Sequence, residues 1–170
     1  LFEGGPGYKD KLERPFYVIR DGVDAAGVTI ETMGYADAAL SSYGVFEKLK
    51  ADGVIPAGVR FQVSIPSTVA LVTGFFEMPE RAAVEPIIEA ALAREVSTIA
   101  AAIPADQLAI QWDVCHEVVG ADGAMPLHYD DIVGGSVARV VRHLGFIPDG
   151  VEAGVHLCYG DPGHKHIVEP

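Results

Sequence analysis

The chain has 170 residues, 49% of them hydrophobic and 21% charged, which excludes a disordered chain and supplies enough apolar material for a sizeable buried core. Lys and Arg total 12 against 24 Asp and Glu, a formal net charge of −12, and that balance argues against nucleic acid and anionic membranes as partners. Two cysteines, Cys115 and Cys158, make no disulfide framework. There is no apolar leader in the first 15 residues and no apolar run approaching the roughly 18–20 residues of a bilayer span, so a soluble, cytoplasmic protein is expected.

Taken in chain order, Glu3-Gly4-Gly5-Pro6-Gly7 reads as a flexible opening that sustains neither a helix nor a central strand, and it matches no phosphate-binding fingerprint. Phe16-Tyr17-Val18-Ile19 is aromatic and β-branched and runs into Arg20-Asp21-Gly22, which predicts a strand and a turn. A short apolar piece, Val28 to Ile30, precedes Gly34. Over 35–50, Ala36, Leu40, Tyr43, Phe46 and Leu49 recur at helical spacing, and Asp52-Gly53 ends the helix. A strand over 60–65 is stopped by Pro66, and a helix follows over 69–76. A longer helix over 84–102 carries Val84, Ile87, Ile88, Ala91, Leu92, Val96, Ile99 and Ile103 on its apolar side. Pro86 belongs in its first turn. The strand over 108–114 contains the run Leu108-Ala109-Ile110, which predicts burial on both faces. A helix over 129–144 places Val133, Val137, Val140, Val141 and Leu144 together and ends at Gly145. The last strand spans 151–159. Strands alternating with helices call for an α/β fold with parallel strands and right-handed crossovers.

In such folds polar residues at the carboxyl ends of strands are the first candidates for chemistry. Three strand ends qualify: Ser64 to Thr68, Gln111 to Glu117, and His156 to Asp161 followed by His164, Lys165 and His166. His156 and Cys158, two apart on a strand, present an imidazole and a thiolate to one side, a donor pair suited to zinc. The alternative is a buried cysteine beside a hydrogen-bonded histidine. His164 and His166 fall on a loop of unknown path. Asp113 and Glu117 form a candidate carboxylate pair whose separation the sequence does not set. Cys115 and His116, being neighbours on a strand, point to opposite faces, which argues against a nucleophilic dyad. Ser64, Ser67 and Thr68 also read as caps for the next helix, and Trp112 reads as core.

Four segments together resemble a known family. Met33-Gly34-Tyr35-Ala36-Asp37-Ala38-Ala39-Leu40-Ser41-Ser42-Tyr43, Arg60-Phe61-Gln62-Val63-Ser64-Ile65-Pro66, Ile110-Gln111-Trp112-Asp113 and Val155-His156-Leu157-Cys158-Tyr159-Gly160-Asp161 are similar to the cobalamin-independent methionine synthases, above all to single-domain members. That family lies in the superfamily that includes uroporphyrinogen decarboxylase. The resemblance implies a (β/α)8 TIM barrel and zinc-dependent methyl transfer from a folate-like donor to a thiol such as homocysteine, a step of methionine biosynthesis. It implies His156 and Cys158 as metal ligands and Asp113 as the residue holding the substrate's amino group. Ser64 and Glu117 join Asp113 as substrate-binding candidates, and no catalytic acid or base is assigned. The family follows its strand-end aspartate with Glu-Pro-Ala, whereas Val114-Cys115-His116-Glu117 stands here, and its glutamate and second cysteine ligands have no counterpart. The competing readings are a metal-independent barrel enzyme of the decarboxylase type and a non-catalytic barrel that binds a small molecule.

A (β/α)8 barrel takes about 250 residues. The sequence opens at Leu1 and stops at Glu169-Pro170 with four or five strands. The expectation is a single domain over 1–170 that forms a segment of a larger barrel. Its remaining strands would come from absent residues or from another chain.

Overall fold

The computed structural model describes the backbone of residues 2–5 and all of 16–160 and 166. The chain builds β1 (Phe2–Gly5), β2 (Phe16–Ile19), α1 (Tyr35–Ala51), β3 (Phe61–Pro66), α2 (Thr68–Phe75), α3 (Arg81–Ala102), β4 (Leu108–Val114), α4 (His116–Ala121), α5 (Ile132–Leu144) and β5 (Glu152–Leu157). β3, β4 and β5 form a parallel sheet in that order, with β4 central. The protein is therefore a mixed α/β fold around a three-stranded parallel sheet, and the described residues do not close a barrel. No helix among them is long and apolar enough to cross a membrane.

One expectation fails at the start of the chain. Residues 2–5, within the stretch read as a flexible opening, pair antiparallel with β2 in a separate two-stranded sheet, so the strands are not all parallel. Gly4 and Gly5 are tolerated because this strand is not a central one. At the end of the short apolar piece Val28 to Ile30, the Ile30 carbonyl accepts a hydrogen bond from Arg94 Nη2 at 2.5 Å.

The helices explain themselves from their ends. Ser67 caps α2, its hydroxyl accepting from the Ala70 N–H at 3.0 Å, and Asp131 caps α5 by accepting from the Gly134 N–H at 3.0 Å. That cap starts α5 three residues later than its apolar spacing suggests. α3 starts earlier than expected because buried Arg81 reaches back, donating to the carbonyls of Phe76 at 3.0 Å and Thr73 at 3.3 Å at the end of α2. Pro86 consequently sits inside the helix and not in its first turn. α1 is held by a carboxylate from another helix. Glu95 accepts from the N–H groups of Met33, Gly34 and Ala36 at 2.5, 3.2 and 2.6 Å and from the Thr32 hydroxyl at 3.1 Å. Gly34, at φ +83°, makes the left-handed turn that aims these N–H groups together.

The apolar side of α3 is buried throughout, against Val63 and Ile65 of β3 and Leu108, Ile110, Trp112 and Val114 of β4. β4 alternates strictly: those four residues are buried, while Ala109, Gln111 and Asp113 on the other face are half-exposed. Burial on both faces, expected from Leu108-Ala109-Ile110, is thus replaced by one dry face and one wet face. The valine stripe of α5 is split as well. Val140 and Leu144 pack against the core, but Val133, Val137 and Val141 are 63, 57 and 61% exposed. The cause is polar. Arg139 is tied to Glu85, Arg142 to Glu89, and fully buried His143 stacks on Trp112 with ring centroids 4.7 Å apart. These three anchors set the roll of α5 and turn the valines outward.

Two predictions follow from these buried groups. Burial would raise the Glu95 pKa, but the hydrogen bonds from Met33, Ala36, Thr32 and Gly34 outweigh it and hold the carboxyl below its ordinary value. Its stabilisation is therefore present at neutral pH and lost as acid protonates it. Glu95→Ala should cost about 2–3 kcal/mol in urea unfolding at pH 7, because it strands N–H groups that a charge satisfied. Burial lowers His143 to about 4, with Arg142 and Arg139 acting in the same direction and Glu89 and Glu85 opposing. The unfolded imidazole takes its proton near pH 6.5 while the folded one does not, so stability falls as pH drops from about 6.5 to 4. Wild type should lose about 3 kcal/mol more than His143→Phe across that window, read from urea midpoints at the two ends.

Candidate functional site

Parallel register decides which side chains meet at the carboxyl end of the sheet. Ser64, Gln111 and Gly154 stand abreast across β3, β4 and β5, and one step on Pro66, Asp113 and His156 do the same. All six belong to the face away from the helices. Cys158 follows His156 by two residues, its N–H donating to the Val114 carbonyl at 3.3 Å, which extends the β5 alignment past the strand end. The strand-end residues singled out from the sequence thus fall into two groups. Ser64, Asp113 and His156 share one open polar face, with Cys158 continuing it.

Glu117 belongs to the other group. It lies in α4, 2% exposed, and lines an apolar crevice on the helix side with Val114, Val155 and Leu157. No carboxylate pair with Asp113 forms on the polar face. Burial pushes the Glu117 pKa up, against the pull of the nearby Ser67 hydroxyl and of Arg139.

Asp113 is oriented by Gln111, which the sequence reading places at the same strand end without giving it a role. Gln111 Nε2 donates to Asp113 Oδ1 at 2.9 Å and to the Ser64 hydroxyl at 3.3 Å. Gln62 Nε2 in turn donates to Ser64 at 3.3 Å and to Gln111 Oε1 at 3.2 Å. The amide row fixes one carboxylate oxygen and leaves the other free to accept a hydrogen bond from a ligand. The signal was present as polar residues at period two, Gln62-Ser64 and Gln111-Asp113, on otherwise apolar strands.

The His156 and Cys158 donors are of the right kind for zinc: an exposed imidazole and a half-buried free thiol at one strand end. They number two, where a catalytic zinc takes three protein ligands. Among the described residues no group of three or more His, Cys, Asp and Glu side chains is placed to hold a metal. Cys115 is half-buried and free of a disulfide, and His166 is exposed, its ring 6.3 Å from that of Tyr159. Asp161, His164 and Lys165 lie outside the described residues. The described donors therefore fit one side of a zinc site without completing it. Ser67 serves as the α2 cap and Trp112 is fully buried core, as their residue types suggest.

Comparison with known proteins brings no assignment: no family model, curated protein or solved structure matches the chain.

Because His156 is exposed on an edge strand and Cys158 is only half-buried, neither holds the fold together. Replacing either by Ala should move the unfolding free energy by no more than about 0.5 kcal/mol. A drop of several kcal/mol in chemical denaturation would mark them as structural residues instead.

Proposed function

We propose that this chain forms one wall of a (β/α)8-barrel methyltransferase of the methionine synthase type. Such an enzyme passes a methyl group from a folate-like donor to a small thiol such as homocysteine. One observation carries the reading: Ser64, Asp113 and His156, with Cys158 next in line, share an open polar face at the carboxyl edge of a parallel sheet whose other face is packed by helices. Ligand sites of parallel α/β folds sit at that edge.

Each residue then has a task set by its own chemistry. Asp113, held by Gln111, offers its free oxygen to the ammonium group of an amino-acid substrate. Ser64 lies within the same amide row and presents a hydroxyl to a polar part of the ligand. His156 and Cys158 serve as two zinc ligands, and the remaining donors come from residues beyond those described or from another chain. Zinc, when bound, lowers the pKa of a coordinated substrate thiol so that it is a thiolate at neutral pH. Glu117 takes no part on this face.

The test is metal content together with ligand binding. Purified protein loaded with zinc and dialysed should retain it, and His156→Ala or Cys158→Ala should each lower the affinity by at least about tenfold. Asp113→Asn should weaken homocysteine binding while leaving zinc retention intact. Wild-type protein that retains no zinc, or zinc binding indifferent to both ligand substitutions, would overturn the reading. Homocysteine binding without zinc would favour the metal-independent barrel enzyme.

A further inference from the structure

The two cysteines of the chain are brought together by the sheet. The parallel register of β4 and β5 runs to Val114 opposite Leu157, and the bond from the Cys158 N–H to the Val114 carbonyl carries it one step further. That step sets Cys115 beside Cys158. Cys115 has φ −113° and ψ −55°. Its φ is that of a parallel strand, and only its ψ turns the chain into α4. The Cα–Cβ bond therefore keeps the alternation of β4, which puts Cys115 on the polar face after Gln111 and Asp113. Cys158 reaches the same face two residues after His156. Neighbouring strands lie about 4.8 Å apart, inside the roughly 4.4–6.8 Å that separates the Cα atoms of a disulfide. Both thiols are half-buried, neither is in a disulfide, and the sequence holds no other cysteine.

We propose that Cys115 and Cys158 are a redox pair, closed to a disulfide by hydrogen peroxide and reopened by thiols. Cys158, at the end of an edge strand beside exposed His156, meets the peroxide first. Its sulfur attacks one peroxide oxygen and the O–O bond breaks. The other oxygen leaves as water with the thiol proton, and Cys158 becomes a sulfenic acid. The sulfur of Cys115 then attacks that of Cys158. The S–S bond forms, the S–O bond breaks, and hydroxide leaves as a second water with the proton of Cys115. Two electrons pass from the two sulfurs to one hydrogen peroxide, and a small-molecule thiol returns them by exchange. The disulfide itself needs only the register of the sheet. Its consequence rests on the zinc reading given above: a Cys158 sulfur bonded to Cys115 has no thiolate to offer a metal, so oxidation removes one of the two described donors.

The experiment uses the full chain, reduced and freed of metal, with hydrogen peroxide as oxidant in small molar excess over dilute protein. Wild type should lose both titratable thiols, stay monomeric and fall in mass by two hydrogens. Its digest should contain one cross-linked peptide joining Cys115 to Cys158, and dithiothreitol should restore both thiols. Cys115→Ser should stop instead at a Cys158 sulfenic acid that dimedone traps, with the adduct at least about tenfold more abundant than in wild type. Cys115→Ala gives the same reading should the serine variant fold poorly. Three results overturn the proposal. One is persistence of both thiols under conditions that fully oxidise glutathione. Another is disulfides that join two chains with none inside a chain. The last is a sulfinic or sulfonic acid on one cysteine while the other remains a thiol. Zinc retention on the same samples separates this proposal from the metal reading. Oxidised wild type should hold at least about tenfold less zinc than the same protein after dithiothreitol. A disulfide in a chain that retains no zinc when reduced, or equal zinc in both forms, sinks only the metal site. Zinc retained with no disulfide formed sinks only the redox pair.

Discussion

The alternation of β4 is the constraint on which the other elements depend. Leu108, Ile110, Trp112 and Val114 all enter the dry layer, so Ala109, Gln111 and Asp113 must occupy the opposite one. A slip of one residue would bury Gln111 and Asp113 under α3 and expose Trp112. Parallel pairing passes this division to both neighbours, which is why Ser64 of β3 and His156 of β5 arrive beside the same central strand. The polar face is thus a consequence of how the core is packed.

The dry layer is not uniformly apolar, and its polar groups have a mechanical role. Glu85 is buried, which by itself would raise its pKa, yet hydrogen bonds from His128 and Arg139 lower it to about 2. It remains ionised and grips α5 from α3. Tyr129 backs the same arginine, its ring 3.7 Å from the guanidinium carbon. Farther along, Arg142 pairs with Glu89, and Thr68 Oγ1 lies 2.8 Å from Nε2 of His143. A helix held at three successive polar points cannot roll to hide its valines. Losing one partner of the largely buried Glu85–Arg139 pair would leave the other uncompensated.

This division explains what could be read from the residues alone. The α3 stripe, the β4 strand and the parallel alternation are local patterns, and each appears where its period says. His156 falls on the polar face by its place in β5, and Cys158 follows the end of that strand. The α5 stripe misled because Arg139 and Arg142 find partners 54 and 53 residues away, a pairing no periodicity encodes. α4 was invisible because six residues are too few to show a period. Asp113 and Glu117 were a candidate pair whose separation the sequence does not set, and the turn into α4 carries Glu117 round to the helix side. Gln111 stands in the same strand-end segment as Asp113, but an amide's role there depends on the cross-strand neighbours Gln62 and Ser64, which no local pattern shows.

The carboxylate of Glu95 at the start of α1 bears on how the chain reaches this arrangement. Helices usually close their first turn with a residue of their own, so they can form early and independently. α1 borrows its closing group from a helix about sixty positions later, with separations of 59 to 62 residues for its backbone contacts. Its first turn is therefore incomplete until α3 exists and has docked. Native contacts over such separations slow folding and bind distant segments into one cooperative event. Through a single side chain, the first long helix of the chain becomes dependent on the second.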